Sequence, residues 1–139
     1  MNAEDFVSLL MNINASRAKL DDSDALLGQL LARAEDTISQ LRIGVPLSYP
    51  IEGGTIWFEK INKRWRFTFC ITDEAESTMV CDLPRELRIV CIGCLGEFIA
   101  SIPAQLEAKV EQRQKILEDT KLVIQTIEEF QHEQKAKNA

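Results

Sequence analysis

The sequence is poor in the residues and motifs on which most active sites depend. Its one histidine, His132, lies in the C-terminal stretch "HEQKAKNA", where we expect fraying and no fixed position for a general base. "EGG" at 52–54 is too short for a phosphate-binding loop, and no Gly-Lys-Ser/Thr follows it. The carboxylates are dispersed along helical faces, without the apolar setting that acid–base catalysis needs. We therefore expect a protein that is not an enzyme and needs no cofactor.

Long hydrophobic runs and a basic leader are also missing. The least charged run, 89–106, contains Glu97 and Pro103 and falls short of the roughly 20 apolar residues of a membrane span. Glu4 and Asp5 stand where a secretory signal would carry Lys or Arg. We therefore expect a cytoplasmic protein without membrane attachment, in which the four cysteines are reduced. The net charge of −6 argues against bulk attraction to nucleic acid.

What is present is the composition of one globular domain, with 45% hydrophobic and 27% charged residues in 139. Glycine and proline are concentrated in "RIGVPLSYPIEGG", which predicts a connecting loop over 43–54. We divide the single domain 1–139 into a helical oligomerisation segment 1–42, a β-meander 55–81, helices 84–134 and a frayed tail 135–139.

An apolar ladder with alternating steps of four and three residues runs from Phe6 to Leu41. This spacing is typical of a coiled-coil seam or a bundle helix. Of the two charged positions, Arg17 precedes "DDSD" and Asp24 is its last residue; the short side chains of this stretch suit a helix N-cap. The segment is therefore either one long helix or a kinked helical pair, and the sequence leaves both open. The ladder positions are Phe6, Leu10, Ile13, Arg17, Leu20, Asp24, Leu27, Leu31, Ala34, Ile38 and Leu41.

The stretch "TIWFEKINKRWRFTF" predicts a β-hairpin with Asn62-Lys63 as its two-residue turn. This turn pairs Ile61 with Arg64, Lys60 with Trp65, Glu59 with Arg66, Phe58 with Phe67 and Ile56 with Phe69. Because side chains alternate along a strand, the inner face would carry Ile56, Phe58, Trp65, Phe67, Phe69 and Ile71. The outer face would carry Trp57, Glu59, Ile61, Arg64, Arg66, Thr68 and Cys70. We expect Glu59 and Arg66 to form a cross-strand ion pair.

The outer face of the hairpin has three interpretations. Trp57, Arg64 and Arg66 could form a solvated surface or a protein-binding face. Together with Lys60 and Lys63 at the tip, they could instead bind single-stranded nucleic acid by base stacking and phosphate contacts. The local excess of positive charge is only +3 over 55–72, and acidic residues follow at once. A nucleic-acid-binding regulator is therefore the less favoured alternative to a protein-binding module.

After the hairpin, "TMVC" predicts a third strand over 78–81. Pro84 opens a buried helix that runs to about Ser101, in which Gly93 and Gly96 would allow close approach of a neighbour. After Pro103, an amphipathic helix from Ala104 to about Glu133 would pair with the N-terminal helix.

The four cysteines suggest a second alternative, a small zinc or thiol protein. Cys70 and Cys81 would lie nearly opposite each other across the second and third strands, and Cys91 and Cys94 form a C-x-x-C. The spacing does not match a paired C-x-x-C zinc ribbon, and Cys91 and Cys94 also fit the apolar helical face. Buried structural thiols are the favoured interpretation.

The sequence therefore predicts an α+β fold with a long N-terminal helix or kinked pair, a three-stranded antiparallel meander, a buried central helix and a long amphipathic C-terminal helix. The apolar helices exceed what one small sheet can cover, so we expect a homo-oligomer, most simply a twofold dimer, and an unidentified protein partner. The predicted interaction residues are Trp57, Arg64, Arg66, Phe6, Leu10, Ile13, Leu27, Leu31 and Ile38.

Overall fold

The protein has the predicted α+β fold in a computed structural model that describes residues 2–138. The chain divides into two compact units, and the boundary between them lies between Ile99 and Ala100, inside the last helix. In chain order the elements are α1 (Ala3–Gln40), β1 (Leu47–Ile51), β2 (Gly54–Ile61), β3 (Arg64–Ile71), β4 (Ser77–Met79), a 3-10 turn (Val80–Asp82), α2 (Arg85–Gly93) and α3 (Leu95–Lys137).

Helix α1 is continuous over 38 residues, which removes the kinked-pair alternative. Its N-terminus is closed by a capping box, in which the Asn2 side chain accepts from the Asp5 amide at 2.8 Å and the Asp5 carboxylate accepts from the Asn2 amide. The interpretation of "DDSD" as a helix cap was wrong. No glycine or proline interrupts the helix there, and Asp21 and Asp24 instead form ion pairs with Arg85 at the start of α2.

The four strands form one antiparallel sheet in the order β1-β2-β3-β4. The hairpin register is confirmed pair by pair from Ile61 opposite Arg64 to Ile56 opposite Phe69. Asn62 and Lys63 have φ values of 49° and 70°, the positive values that a tight hairpin turn needs to match the strand twist. A local pattern of alternation and turn chemistry was therefore enough to determine this pairing.

The predicted loop over 43–54 contains a strand that the sequence analysis missed. β1 pairs with β2 along its whole length, with Pro50 opposite Thr55. Proline is tolerated because β1 is an edge strand, where one row of amides faces away from the sheet. At the opposite edge, the predicted strand over 78–81 is instead β4, and Cys81 lies in the 3-10 turn that follows.

The central helical region also differs from the prediction. The break lies at Cys94, where α2 and α3 meet at a bend of 48°, and α3 continues through Pro103. A Cβ added at Gly93 or Gly96 would have nothing within 4 Å, so among the described residues of this chain no close neighbour explains these glycines. α2 is not buried all round, because Val90 is exposed. Among the described helices none alone has the length and apolar composition of a membrane span, and only α2 and α3 together pass that test across their bend.

The core lies on the inner face of the sheet. Phe67 is fully buried between Phe58 and Phe98, at ring-centroid distances of 4.9 and 5.6 Å. Aromatic pairs at such distances stabilise a fold by about 0.5–1.5 kcal/mol beyond their buried area. Of the predicted inner-face residues, Ile71, the last residue of β3, is exposed. The buried apolar side chains of residues 2–99 are Leu31, Ile38, Leu47, Ile56, Phe58, Phe67, Phe69, Val80, Leu83, Cys91, Leu95 and Phe98.

Replacing Gly54 by alanine should lower the free energy of unfolding by about 2–3 kcal/mol, because the new Cβ would overlap the Cys70 carbonyl oxygen and lie 2.7 Å from the Phe69 ring. Gly28→Ala is the matched control. Gly28 lies inside α1 with open space around it, and alanine there should stabilise the helix by up to about 1 kcal/mol. Urea unfolding measures both variants, and equal stability of the two would contradict the close approach at Gly54.

Candidate functional site

The apolar ladder of α1 is used in two different ways along the helix. Near the sheet Leu31 and Ile38 are covered, with 1% and 6% exposed, although the last ladder position, Leu41, is 68% exposed. Towards the N-terminus the same ladder is bare, and its apolar positions are about half exposed. We call these the exposed stripe, Phe6, Leu10, Ile13 and Leu20, with exposures of 53%, 49%, 55% and 54%. Leu31 and Ile38, which we predicted to be interaction residues, are core residues instead, and Leu27 is half-buried.

The exposed stripe is wider than the ladder alone. Val7, Leu9 and Met11 are also exposed, and all three lie within "FVSLLMNI". At about 100° of rotation per residue, they extend the apolar surface over an arc of roughly 200°. An exposed apolar arc of this width on a helix is typical of a surface that another molecule covers.

Helix α3 carries a second set of exposed apolar side chains in the unit that begins at Ala100. They recur at helical spacing among charged residues, as the sequence predicted for an amphipathic helix. The pairing of this helix with α1 stays a prediction. The exposed residues are Val110, Ile116, Leu117, Leu122, Val123, Ile124, Ile127 and Phe130.

The three predicted residues share the outer face of the hairpin, but only part of them is accessible. Arg66 lies opposite Glu59, two positions along β2 from Trp57, and Arg64 lies opposite Ile61, four positions along. Trp57 is half-buried, and the Arg64 side chain is 71% exposed with Asp36 at 3.9 Å. Arg66 is largely buried and bound to Glu35, so the predicted ion pair with Glu59 is replaced by one to α1. Glu59 accepts a hydrogen bond from the Thr68 hydroxyl at 2.9 Å instead.

Glu35 is a buried carboxylate that joins α1 to the edge of β3. Its Oε2 accepts from the amide of Phe67 at 2.8 Å and from Nε of Arg66 at 3.1 Å. β4 pairs with β3 only as far as Thr68, and Glu35 supplies the acceptor for the next edge amide on this side. Burial alone would lower the pKa of the Arg66 guanidinium, but its hydrogen bond and attraction to Glu35 raise the pKa above the ordinary value.

The sequence analysis missed Glu35 because its partners are distant along the chain. The only local signal was a charged residue four positions after Leu31 and three before Ile38, on the face of α1 that turns inward. A buried charge of this kind needs a partner, but periodicity does not say which residue provides it.

The four cysteines do not meet in one site. Cys70 lies opposite Ser77 on β4, and Cys81 is exposed beyond the strand end, so the predicted Cys70–Cys81 juxtaposition was wrong. Cys91 is buried in α2, and Cys94 is half-buried at its end. Within residues 2–138, no group of three or more His, Cys, Asp or Glu side chains is placed to hold a metal ion. Burial, with a contribution from Cys94, raises the pKa of the Cys91 thiol to about 11.

An open, mostly apolar groove lies along the C-terminal part of α1, next to Ile99. It has a volume of about 440 Å³, and Arg33 supplies its one charged side chain. Such a surface can accept apolar side chains but offers no paired acid and base. Its lining residues are Leu30, Arg33, Ala34, Thr37, Ile38, Leu41 and Ile99.

Replacing Glu35 by alanine should lower the free energy of unfolding by about 2–4 kcal/mol, because the Phe67 amide and the Arg66 guanidinium lose a buried acceptor together. Asp36→Ala is the matched control, since this neighbouring carboxylate is exposed and 3.9 Å from Arg64; it should change stability by less than about 0.5 kcal/mol. Denaturant unfolding compares the two. A loss at Asp36 as large as that at Glu35 would show that the buried contacts are not what matters.

Alkaline pH should destabilise the protein partly through Cys91. Its thiol is neutral in both states below pH 9, and its stabilising contribution is full there. Above pH 9 the unfolded chain loses the proton first, and the contribution disappears as pH rises through the folded pKa of about 11. Unfolding free energies measured from pH 8 to pH 11 should fall less steeply in Cys91→Ala than in wild type. Parallel slopes for the two proteins would refute this role.

Comparison of the chain with protein-family models, curated proteins and solved structures found no match. The functions considered below are therefore inferred from the residues and contacts of this chain alone.

Proposed function

We propose that the protein is a non-enzymatic interaction and assembly module that self-associates through the first half of α1. The observation that carries this proposal is the exposed stripe, in which one regular ladder passes from the core onto bare surface. Monomeric proteins rarely expose large apolar side chains in such an ordered row.

The size of the surface supports an interface. Seven large apolar side chains between Phe6 and Leu20 are each about half exposed. Together they amount to roughly 600 Å² of apolar area on one copy, at the upper end of the largest patch of a typical monomer. A standard interface buries about 800 Å² on each partner, so this segment with its polar flanks is large enough for a stable contact.

A second contact, with a different protein, is proposed for the outer hairpin face around Trp57 and the exposed Arg64. Tryptophan and arginine are residue types favoured at the energetic centre of protein interfaces, and here Trp57 is half-buried and the Arg64 side chain is 71% exposed. The nucleic-acid alternative has less support, because Glu35 and Asp36 lie beside the two arginines that would contact phosphates. The four free cysteines fit a reducing compartment such as the cytoplasm.

Placing charges on the exposed stripe should dissociate the oligomer. In the full-length protein, Leu10→Glu with Ile13→Glu should weaken self-association by about 100-fold or more, because both carboxylates would be buried without partners. Asn12→Glu with Ala15→Glu adds the same charge to the opposite side of the same helix and should leave association unchanged. Sedimentation equilibrium measures all three proteins.

Point substitutions are preferable to deletion of residues 1–42. That deletion would also remove Leu31, Ile38 and the Glu35 contacts from the core, so a loss of assembly would not be informative. A wild-type protein that stays monomeric at high micromolar concentration would contradict the proposed function. Equal association of the two double variants would move the interface away from the exposed stripe.

A further inference from the structure

The charged ladder position Arg17 restricts how two copies of the exposed stripe can pair. Arg17 lies between Ile13 and Leu20, in line with the apolar positions. Its guanidinium bonds to Asn14 at 2.9 Å and to Asp21 at 3.3 Å within its own helix, and its side chain is 63% exposed. It therefore lies within any interface that the stripe forms.

A parallel pair in register would place like charges together. Each ladder position then meets itself, so that Arg17 would face Arg17 of the second copy in a desolvated layer. Glu4 and Asp5, at the borders of the stripe, would likewise lie at the same level as their own counterparts. Like charges in such positions oppose association.

An antiparallel pair relieves these contacts. The bare part of the ladder lies between the helix start at Ala3 and Leu20. Beyond it, Asp24 is bound to Arg85, and the later ladder positions within α1, from Leu27 to Ile38, are half-buried or buried. Two such segments overlap fully when residue numbers facing each other sum to about 23. Leu10 then lies against Ile13 of the second copy, and Phe6 lies against Arg17 of the second copy.

The charges also complement each other in this arrangement. A guanidinium over an aromatic ring is attracted to it by about 0.5–1 kcal/mol at exposed sites. The acidic end of one segment, with Glu4 and Asp5 at the borders of the stripe, comes next to the end of the other that carries Arg17. The overlap of 18 residues spans about 27 Å of helix.

We propose that the partner of the exposed stripe is the same stripe of a second copy, packed antiparallel and centred between residues 11 and 12. This inference rests on the proposed function, since it specifies the occupant and direction of that interface. It places Ala3 of one copy opposite Leu20 of the other at both ends of the overlap.

Disulfide trapping in the full-length protein tests the direction. Ala3→Cys and Leu20→Cys are prepared separately, mixed, exchanged and mildly oxidised, and linked peptides are identified by mass spectrometry so that native cysteines are told apart. In the mixture we expect a disulfide between position 3 of one chain and position 20 of another. Neither variant alone should form a link between its identical new cysteines, because these lie about 25 Å apart along the axis. The matched control pairs Ser8→Cys with Ala15→Cys, which lie at facing levels but on the outer sides, and should give no link.

Different failures are distinguishable. A monomeric wild-type protein in sedimentation overturns both this inference and the proposed function. An oligomer in which Leu20→Cys alone forms a 20–20 link shows a parallel pair and overturns only the direction. An oligomer with no link through position 3 or 20 shows that another surface, such as α3, forms the contact, and it overturns the assignment of the exposed stripe.

Discussion

The buried carboxylate of Glu35 is the contact on which the arrangement of helix and sheet depends. One oxygen accepts hydrogen bonds from both the edge amide of Phe67 and the guanidinium of Arg66, so it attaches α1 to β3 at this point. β4 does not pair with β3 at Phe67, so the Glu35 carboxylate accepts the hydrogen bond that a longer β4 would accept. Because α1 is held there, the apolar positions on either side, Leu31 and Ile38, reach the core together.

Arg85 provides a second attachment of α1, one that limits how much of the helix belongs to the core. Its guanidinium binds Asp21 and Asp24, and beyond them towards the N-terminus the ladder continues without cover. The same apolar spacing therefore serves two partners, the sheet of its own chain and, as we propose, a second copy. A spacing of four and three suits both, because bundle packing and coiled-coil pairing use the same side-chain geometry.

Because one apolar pattern serves both partners, the sequence predicts the helix but not which part of it is buried. The hairpin register followed from Asn62-Lys63 and strict alternation, which are local, and the existence of α1 followed from its period. Periodicity could not separate the covered half of the ladder from the bare half, since both carry the same pattern. β1 was missed because Pro50 was taken as a loop signal, although an edge strand tolerates it. Glu35 was missed because its role depends on Phe67, more than thirty residues away, and only the folded chain brings them together.

Because the ladder runs without a break from Leu31 to Phe6, the number of residues between them sets the direction in which the exposed stripe points. Each residue of an α-helix turns the following side chains by about 100°, so an insertion of one residue near Asp22 would rotate the exposed stripe by that angle relative to the sheet. An insertion of seven residues would nearly restore the original direction of the exposed stripe and would only lengthen the N-terminal part of α1. The direction in which this protein presents its apolar surface is thus set by the number of residues between two fixed points. Substitutions at the polar positions in between leave that direction unchanged, whereas a single deletion alters it.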